Sequence, residues 1–222
     1  MYFDLRTYDF ESKSQQERFM VVLRKKTIPA LNTLGVDKVG VFTTQEPELS
    51  LILLVPHSSI EKLIAIRDDL LTAKADLSLP DPMPRPIFRQ ASSSVLRGFD
   101  VMPNYNLPTK AADRVFQLRV YESPSAYAGK KKIEMFQQGE LDIFHRVGLN
   151  PVFFAETLIG AQLPSLTYML AFRDMNSLDC AWELFRNDSV WDELSNRPEY
   201  SNELLIRNIN NKLVFPTEFS QM

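Results

Sequence analysis

The 222-residue sequence holds one cysteine, two histidines and seven glycines, and each scarcity removes a class of function. Cys180 has no partner for an internal disulfide, which fits a reducing compartment. With Leu178, Ala181 and Trp182 around it, the residue is expected as a buried structural thiol. His57 and His145 stand in no ligand spacing with each other or with the cysteine, so no metal site is expected, and His57, next to Ser58, reads as a loop residue. The few glycines form neither a GxGxxG turn after a strand nor a GxxxxGK[ST] loop, which leaves nucleotide phosphates without a cradle, and there is no GxSxG elbow. The serine run Ser92–Ser94 has no histidine or acid close by in sequence and reads as a loop entering a strand.

Excess positive charge is also missing. Twenty-five basic residues against 28 acidic ones give a net charge of −3, so a nucleic-acid partner is not expected, and "LRGFDV" at Leu96–Val101 is only a partial, misplaced match to an RNA-binding phrase. The one tight basic run, Lys130–Lys132, is expected on a solvated helix surface. No apolar run is long enough to cross a bilayer, and "MYFDLRTYDF" has no basic segment followed by an apolar one. Membrane insertion and secretion are therefore not expected, and a cytoplasmic location is.

What the sequence does have is a repeated phrase. "FDLRTYDFES" from Phe3 and "FQLRVYESPS" from Phe116 both alternate apolar and polar residues with the period of a strand. The offsets 119 − 6 and 148 − 35 both equal 113, so the arginines of the two phrases and the glycines Gly35 and Gly148 keep one register. Each phrase is followed by a helical stretch (14–34 and 125–147), two apolar strands (38–43 with 49–55, and 151–158 with 166–172), and a second helix. A last strand, near 94–99 and 211–215, follows a Pro-rich or polar loop. "SSIE" from Ser58 suggests a capping box, and Asn176 or Ser177 is the expected cap of the helix bearing Trp182.

The order βαββαβ, twice, predicts an α+β fold of two tandem ferredoxin-like modules with antiparallel sheets. A four-stranded sheet with both helices on one face leaves the other face bare, so the sheets are expected to close as a pseudo-dimeric α/β barrel. The modules are placed at 1–103 and 114–222, with the polar, proline-marked 104–113 as linker.

"FQLRVYESPS", "KKIEMFQQGELDIFHRVGLNPVFFAETLIG", "LPSLTYMLAF" and "WELFRNDSVWDEL" closely resemble the NIPSNAP family over about 114–194. The first half resembles the same module more weakly and departs from it after Gln45. The resemblance implies the dimeric α/β-barrel superfamily, which includes cofactor-free monooxygenases and haem-handling enzymes, and it brings no settled activity of the family itself.

Several residues carry potential chemistry. Glu140 falls within the stripe Ile133, Phe136, Ile143, Phe144 and Val147, so its carboxylate is expected to face inward, as a general acid or base or as half of a structural ion pair. In the first half, 133 − 19 and 140 − 26 both give 114, which sets Lys26 in the slot of Glu140 at the cost of a one-residue drift. Lys26 then contributes an inward charge or snorkels to water. Arg6 with Tyr8, and Arg119 with Tyr121, lie on strand faces opposite Phe3, Leu5, Phe116 and Leu118. Glu156 is the expected acceptor for Arg119, either as a salt bridge or as part of an anion- or enol-binding pocket with Tyr121 and Tyr168. His145, on the helix shoulder, is a remote candidate for proton relay or haem ligation, and is otherwise solvated.

Two functions follow. One is a small-molecule-binding or self-associating module. The alternative is a monooxygenase-like or isomerase-like enzyme using Glu140, Glu156 and His145 catalytically, with Arg119, Tyr121, Tyr168, Arg6, Tyr8 and Lys26 binding substrate. No cofactor is specified, and haem enters only through His145 and the superfamily.

Overall fold

Alternation in the repeated phrases makes two strands with two buried faces each. A computed structural model describes residues 1–72 and 87–222. Its elements are β1 (Tyr2–Asp9), α1 (Lys13–Val22), a π-helical turn (Leu23–Thr27), α2 (Ile28–Thr33), β2 (Gly40–Thr44), β3 (Ser50–His57), α3 (Ile60–Thr72) and β4 (Gln90–Gly98). The order then recurs, with two further α-helices and a 3-10 turn (Pro198–Tyr200) before the last strand, as β5 (Val115–Glu122), α4 (Ala126–Met135), a π-helical turn (Phe136–Glu140), α5 (Leu141–Val147), β6 (Pro151–Ile159), β7 (Ser165–Phe172), α6 (Met175–Arg186), α7 (Ser189–Ser195), α8 (Asn202–Leu205) and β8 (Asn208–Pro216). The strands are hydrogen-bonded in the order β1-β3-β2-β8-β5-β7-β6-β4 and close as a barrel, as the sequence pattern predicts. Most of the Pro-rich approach to β4 lies outside the described residues.

By packing, the chain divides within β4 and β8, into Met1–Val95 with Phe215–Met222, and Leu96–Val214. In the first unit β1 pairs antiparallel with β3, Arg6 opposite Leu53, and β3 with β2, Leu53 opposite Val41. Tyr8, Val41, Leu51 and Leu53 pack against Phe19 and Leu23 of the first helical run, so the face bearing Asp4, Arg6 and Tyr8 is the one that helices cover. In the second unit β5 pairs with β7, Arg119 opposite Tyr168, and β7 with β6, Tyr168 opposite Phe154. Phe3, Leu5, Phe116 and Leu118 on the other faces are buried as well.

The π turns correct the expected register. Since 136 − 23 and 140 − 27 are both 113, the two turns coincide without drift, and Thr27, not Lys26, stands where Glu140 does. Lys26 corresponds to Gly139, and its side chain is exposed, so no inward lysine sits in the first unit at this point. A straight-helix count misses the change of phase that a π turn introduces. Gly139 itself has φ 157°, outside ordinary helical geometry, and marks a kink that the first unit lacks.

Caps and several single residues also differ from expectation. Ser59 rather than Ser58 caps α3, accepting from the Lys62 N–H, and Asp174 caps α6, accepting from Ser177 N–H at 2.7 Å. Cys180 is exposed: the inward stripe of α6 is Leu178, Ala181 and Phe185, and a residue two after Leu178 falls off that face. His57 is not in a loop but ends β3 opposite Tyr2, 5% exposed, with Nδ1 lacking a hydrogen-bond partner. Ser93 does have an acid nearby, donating to Asp4 Oδ1 at 2.7 Å across 89 residues of sequence.

Burial lowers the His57 pKa from 6.5 to about 4, with Asp4 opposing and Arg6 reinforcing the shift. Above 6.5 the imidazole is neutral whether the chain is folded or not. As pH falls from 6.5 toward 4, the unfolded chain takes up a proton that the folded chain refuses, so stability falls through that window. Urea denaturation at pH 7 and pH 4.5 is expected to show a larger loss for the wild type than for His57→Gln; equal losses would refute a buried neutral imidazole.

Candidate functional site

The polar centre of the second unit is built on the helix-covered face of β5. Gln117, Arg119 and Tyr121 project from that face by strand alternation, and the α4–α5 run lies over it with Phe136 and Phe144 packed on Tyr168. Phe154 stacks on Tyr168 with ring centroids 4.7 Å apart, and Phe99 stacks on Phe154 at 5.9 Å. A largely aromatic layer therefore surrounds whatever charge is placed within it.

Two opposite charges are placed there. Glu140 faces inward, as the periodicity predicts, and is 2% exposed. Its carboxylate accepts from Lys132 Nζ at 3.0 Å, and Lys132 is itself only 1% exposed. Lys132 is the main correction to the sequence reading, which put the whole run Lys130–Lys132 in solvent. Its ammonium also contacts Met135 Sδ at 3.2 Å and lies over the Phe136 ring at 4.9 Å. The signal that would have found it is Ala128, Lys132 and Met135 at helical spacing ahead of Glu140. Burial raises the Glu140 pKa, against the opposing influence of Lys132 and, through space, Arg119.

Beside this pair lies a chain of hydroxyls and a guanidinium. Tyr168 donates to Tyr121 Oη at 3.0 Å, and Arg119 Nη2 donates to the same oxygen at 3.0 Å. Burial holds the Tyr168 hydroxyl well above its ordinary pKa, with Tyr121 adding to the effect. Arg119 sits among the rings of Trp182, Tyr121 and Tyr168, at 4.7, 5.4 and 5.9 Å. Burial would lower its pKa, but the two tyrosines outweigh burial and raise it.

The expected Arg119–Glu156 bridge does not form. Glu156 is half-buried and pairs with Arg97 of β4. Together they line a cavity of about 200 Å³ with Gly98, Phe99, Asp100, Ile133 and Gln137. His145 is exposed on α5, so it meets neither this cavity nor the buried pair. The residues present therefore do not fit a buried haem held by His145. Among the described residues no cluster of three histidine, cysteine or acidic side chains is placed to hold a metal ion, and no helix is long and apolar enough to cross a membrane.

In the first unit Arg6 and Tyr8 keep the places of Arg119 and Tyr121. Arg6 is held by Asp4, Nε to Oδ2 at 2.9 Å, and Tyr8 packs on Phe19. A second cavity, about 460 Å³, is lined by Glu17, Met20, Val21, Arg24, Thr43 and Pro216–Phe219, and by none of the expected site residues.

Comparison with known proteins finds similarity over the C-terminal half of the chain and, at the level of fold, over nearly all of it. Residues 116–221 match the NIPSNAP family model. Over nearly the whole chain the fold is shared with solved structures at low sequence identity. An anthrone oxidase-like protein matches with TM-score 0.65 at 8% identity, covering 98% of this chain and 91% of its own. A candidate monooxygenase from Fusobacterium nucleatum matches with TM-score 0.64 at 6% identity, covering 97% and 91%. A NIPSNAP-like domain protein from Burkholderia xenovorans matches 49% of this chain and 89% of its own, with 17% identity and TM-score 0.44. No curated protein matches the chain in sequence.

Glu140→Gln leaves a buried ammonium facing a neutral amide. It is expected to cost about 3–5 kcal/mol in urea denaturation at neutral pH, whereas Lys132→Met with Glu140→Leu together are expected to cost much less. A double variant as unstable as the single one would show that packing, not charge pairing, is what Glu140 supplies.

Proposed function

We propose that this chain, a tandem form of the NIPSNAP module, is a small-molecule-binding module, with its ligand taken up against the helix-covered sheet of the second unit. The observation that carries this reading is the Lys132–Glu140 pair: the best-placed acid or base holds a lysine at 3.0 Å instead of facing a cavity. A carboxylate locked in this way makes a rigid, internally neutral wall, which is what a binding site needs from its supporting side chains. Arg119, Tyr121 and Tyr168 are the ligand-facing groups, and Glu156 with Arg97 closes the separate small cavity. Self-association is the companion reading, since a non-catalytic module can also act by assembling copies of itself.

The enzymatic reading draws support from the monooxygenase-like barrel neighbours, which share the fold at 6–8% identity. It requires Glu140 to release Lys132 during turnover.

A thermal-shift screen of small molecules separates the two. A ligand present at 100 times its Kd should stabilise the protein by about 2.7 kcal/mol, and the Lys132→Met/Glu140→Leu variant should still respond, because the pair is structural. Ligand-dependent oxygen consumption or isomerisation that disappears in that variant would overturn the binding reading in favour of catalysis. Titration with haem is expected to give no Soret shift.

A further inference from the structure

We infer that Arg119 is an anion subsite that binds the carboxylate of a small organic ligand, in the position where the first unit carries its own aspartate. This deepens the small-molecule-binding reading and rests on it.

The chain contains its own control. Asp4, Arg6 and Tyr8 on β1 correspond, at an offset of 113, to Gln117, Arg119 and Tyr121 on β5. In the first unit the guanidinium is closed by Asp4, with Nε at 2.9 Å and Nη2 at 2.8 Å from Oδ2. Asp4 also accepts from Ser93 and has Arg67 at 3.9 Å, so it is saturated from within the chain.

In the second unit that counter-ion is absent. Gln117 is neutral, and its Oε1 is already taken by Trp182 Nε1 at 2.7 Å. Arg119 Nε is buried with no partner, and what the guanidinium does meet is phenolic: Nη2 donates to Tyr121 Oη, and the Tyr168 hydroxyl also takes part, neither of them a carboxylate. Tyr121, Tyr168 and Trp182 present ring faces, which attract a cation but do not neutralise it. The buried pair of Lys132 with Glu140 cancels itself, and Glu140 reaches Arg119 only through space. One positive charge is therefore left over on a strand face that helices cover, an arrangement that favours an incoming anion.

The geometry narrows the anion. A planar carboxylate matches the edge of a guanidinium and can take two parallel N–H bonds from it. Arg119 is opposite Asn211 on β8, and Asn211 is exposed, so the β8 side is the open approach. The flanking tyrosine and tryptophan rings would hold an apolar or aromatic body behind the carboxylate.

Trp182 lies over the guanidinium and provides the signal. In a Trp191→Phe background, benzoate titrated at constant ionic strength should change Trp182 fluorescence saturably, and benzamide, its neutral counterpart, should bind at least tenfold more weakly. Gln117→Asp gives Arg119 the internal partner that Arg6 has, keeps an acceptor for Trp182, and should weaken benzoate at least tenfold with no loss of thermal stability. Should that variant fail to fold, Arg119→Gln provides the same readout. Benzoate binding as tight in either variant as in the parent, benzamide binding equal to benzoate, or no response to benzoate would each overturn the subsite. If ligands in the thermal-shift screen still stabilise the protein in that event, the binding reading survives without its anionic part; if none does, both fail.

Discussion

A charge on a sheet face that helices cover has to be met by a counter-charge or by hydrogen bonds, and the two units of this chain meet that requirement in different ways. Each places an arginine in the middle of the first strand of its module, two residues before a tyrosine, on the covered face. In the first unit the answer is local: Asp4, two residues before Arg6 on the same face, forms the ion pair and is fixed by Ser93. In the second unit Gln117 occupies that place, and the guanidinium is bounded by rings and by the hydroxyls of Tyr121 and Tyr168. The same backbone position thus supports a closed pair in one unit and an open charge in the other.

The Lys132–Glu140 pair shows how the helical run adapts to this. Eight residues along a straight α-helix correspond to about 12 Å of rise, too far for comfortable contact between the two head groups. The π turn and the kink at Gly139 fall between them and bring the charges to 3.0 Å. At the equivalent positions the first unit has Phe19 and Thr27, an aromatic ring and a short hydroxyl residue, both buried. Going from one arrangement to the other by a single substitution would strand a buried charge, at a cost of several kcal/mol. The two positions can therefore differ between units only if they differ together, and they do.

Much of this was legible in the sequence, for reasons visible in particular residues. Strand alternation through Phe116, Leu118 and Val120 reports directly which side chains share a face, so the barrel strands and the pairing of Arg119 with Tyr121 were readable. The inward direction of Glu140 was readable because its apolar neighbours are spaced at helical intervals. Lys132 was not, because a lysine carries no apolar signal and its two neighbours Lys130 and Lys131 argue for solvent. The equivalence of Lys26 with Glu140 failed because a π turn shifts the helical phase by one residue, which a count at 3.6 residues per turn reads as an insertion. Tertiary partners were the least legible: Arg97 takes Glu156 from a strand 59 residues away, and Ser93 reaches Asp4 across 89.

The resemblance to oxidase-like barrels bears on this chemistry less than the barrel itself suggests. At 6–8% identity what is shared is strand order and the layer between helices and sheet, and that layer can be filled in different ways. Here the first unit fills it as an ordinary core with a locally neutralised arginine, while the second carries a neutral ion pair, two linked phenols and one guanidinium lacking a carboxylate. The second unit is also the one that matches the NIPSNAP model. If the arginine served only to hold the strands together, the arrangement in the first unit would be the better solution, since a partner two residues away completes it from within. The second arginine gives up that closure: two phenols offset its partial burial without cancelling its charge, and the place of the missing carboxylate is left for a group from outside the chain.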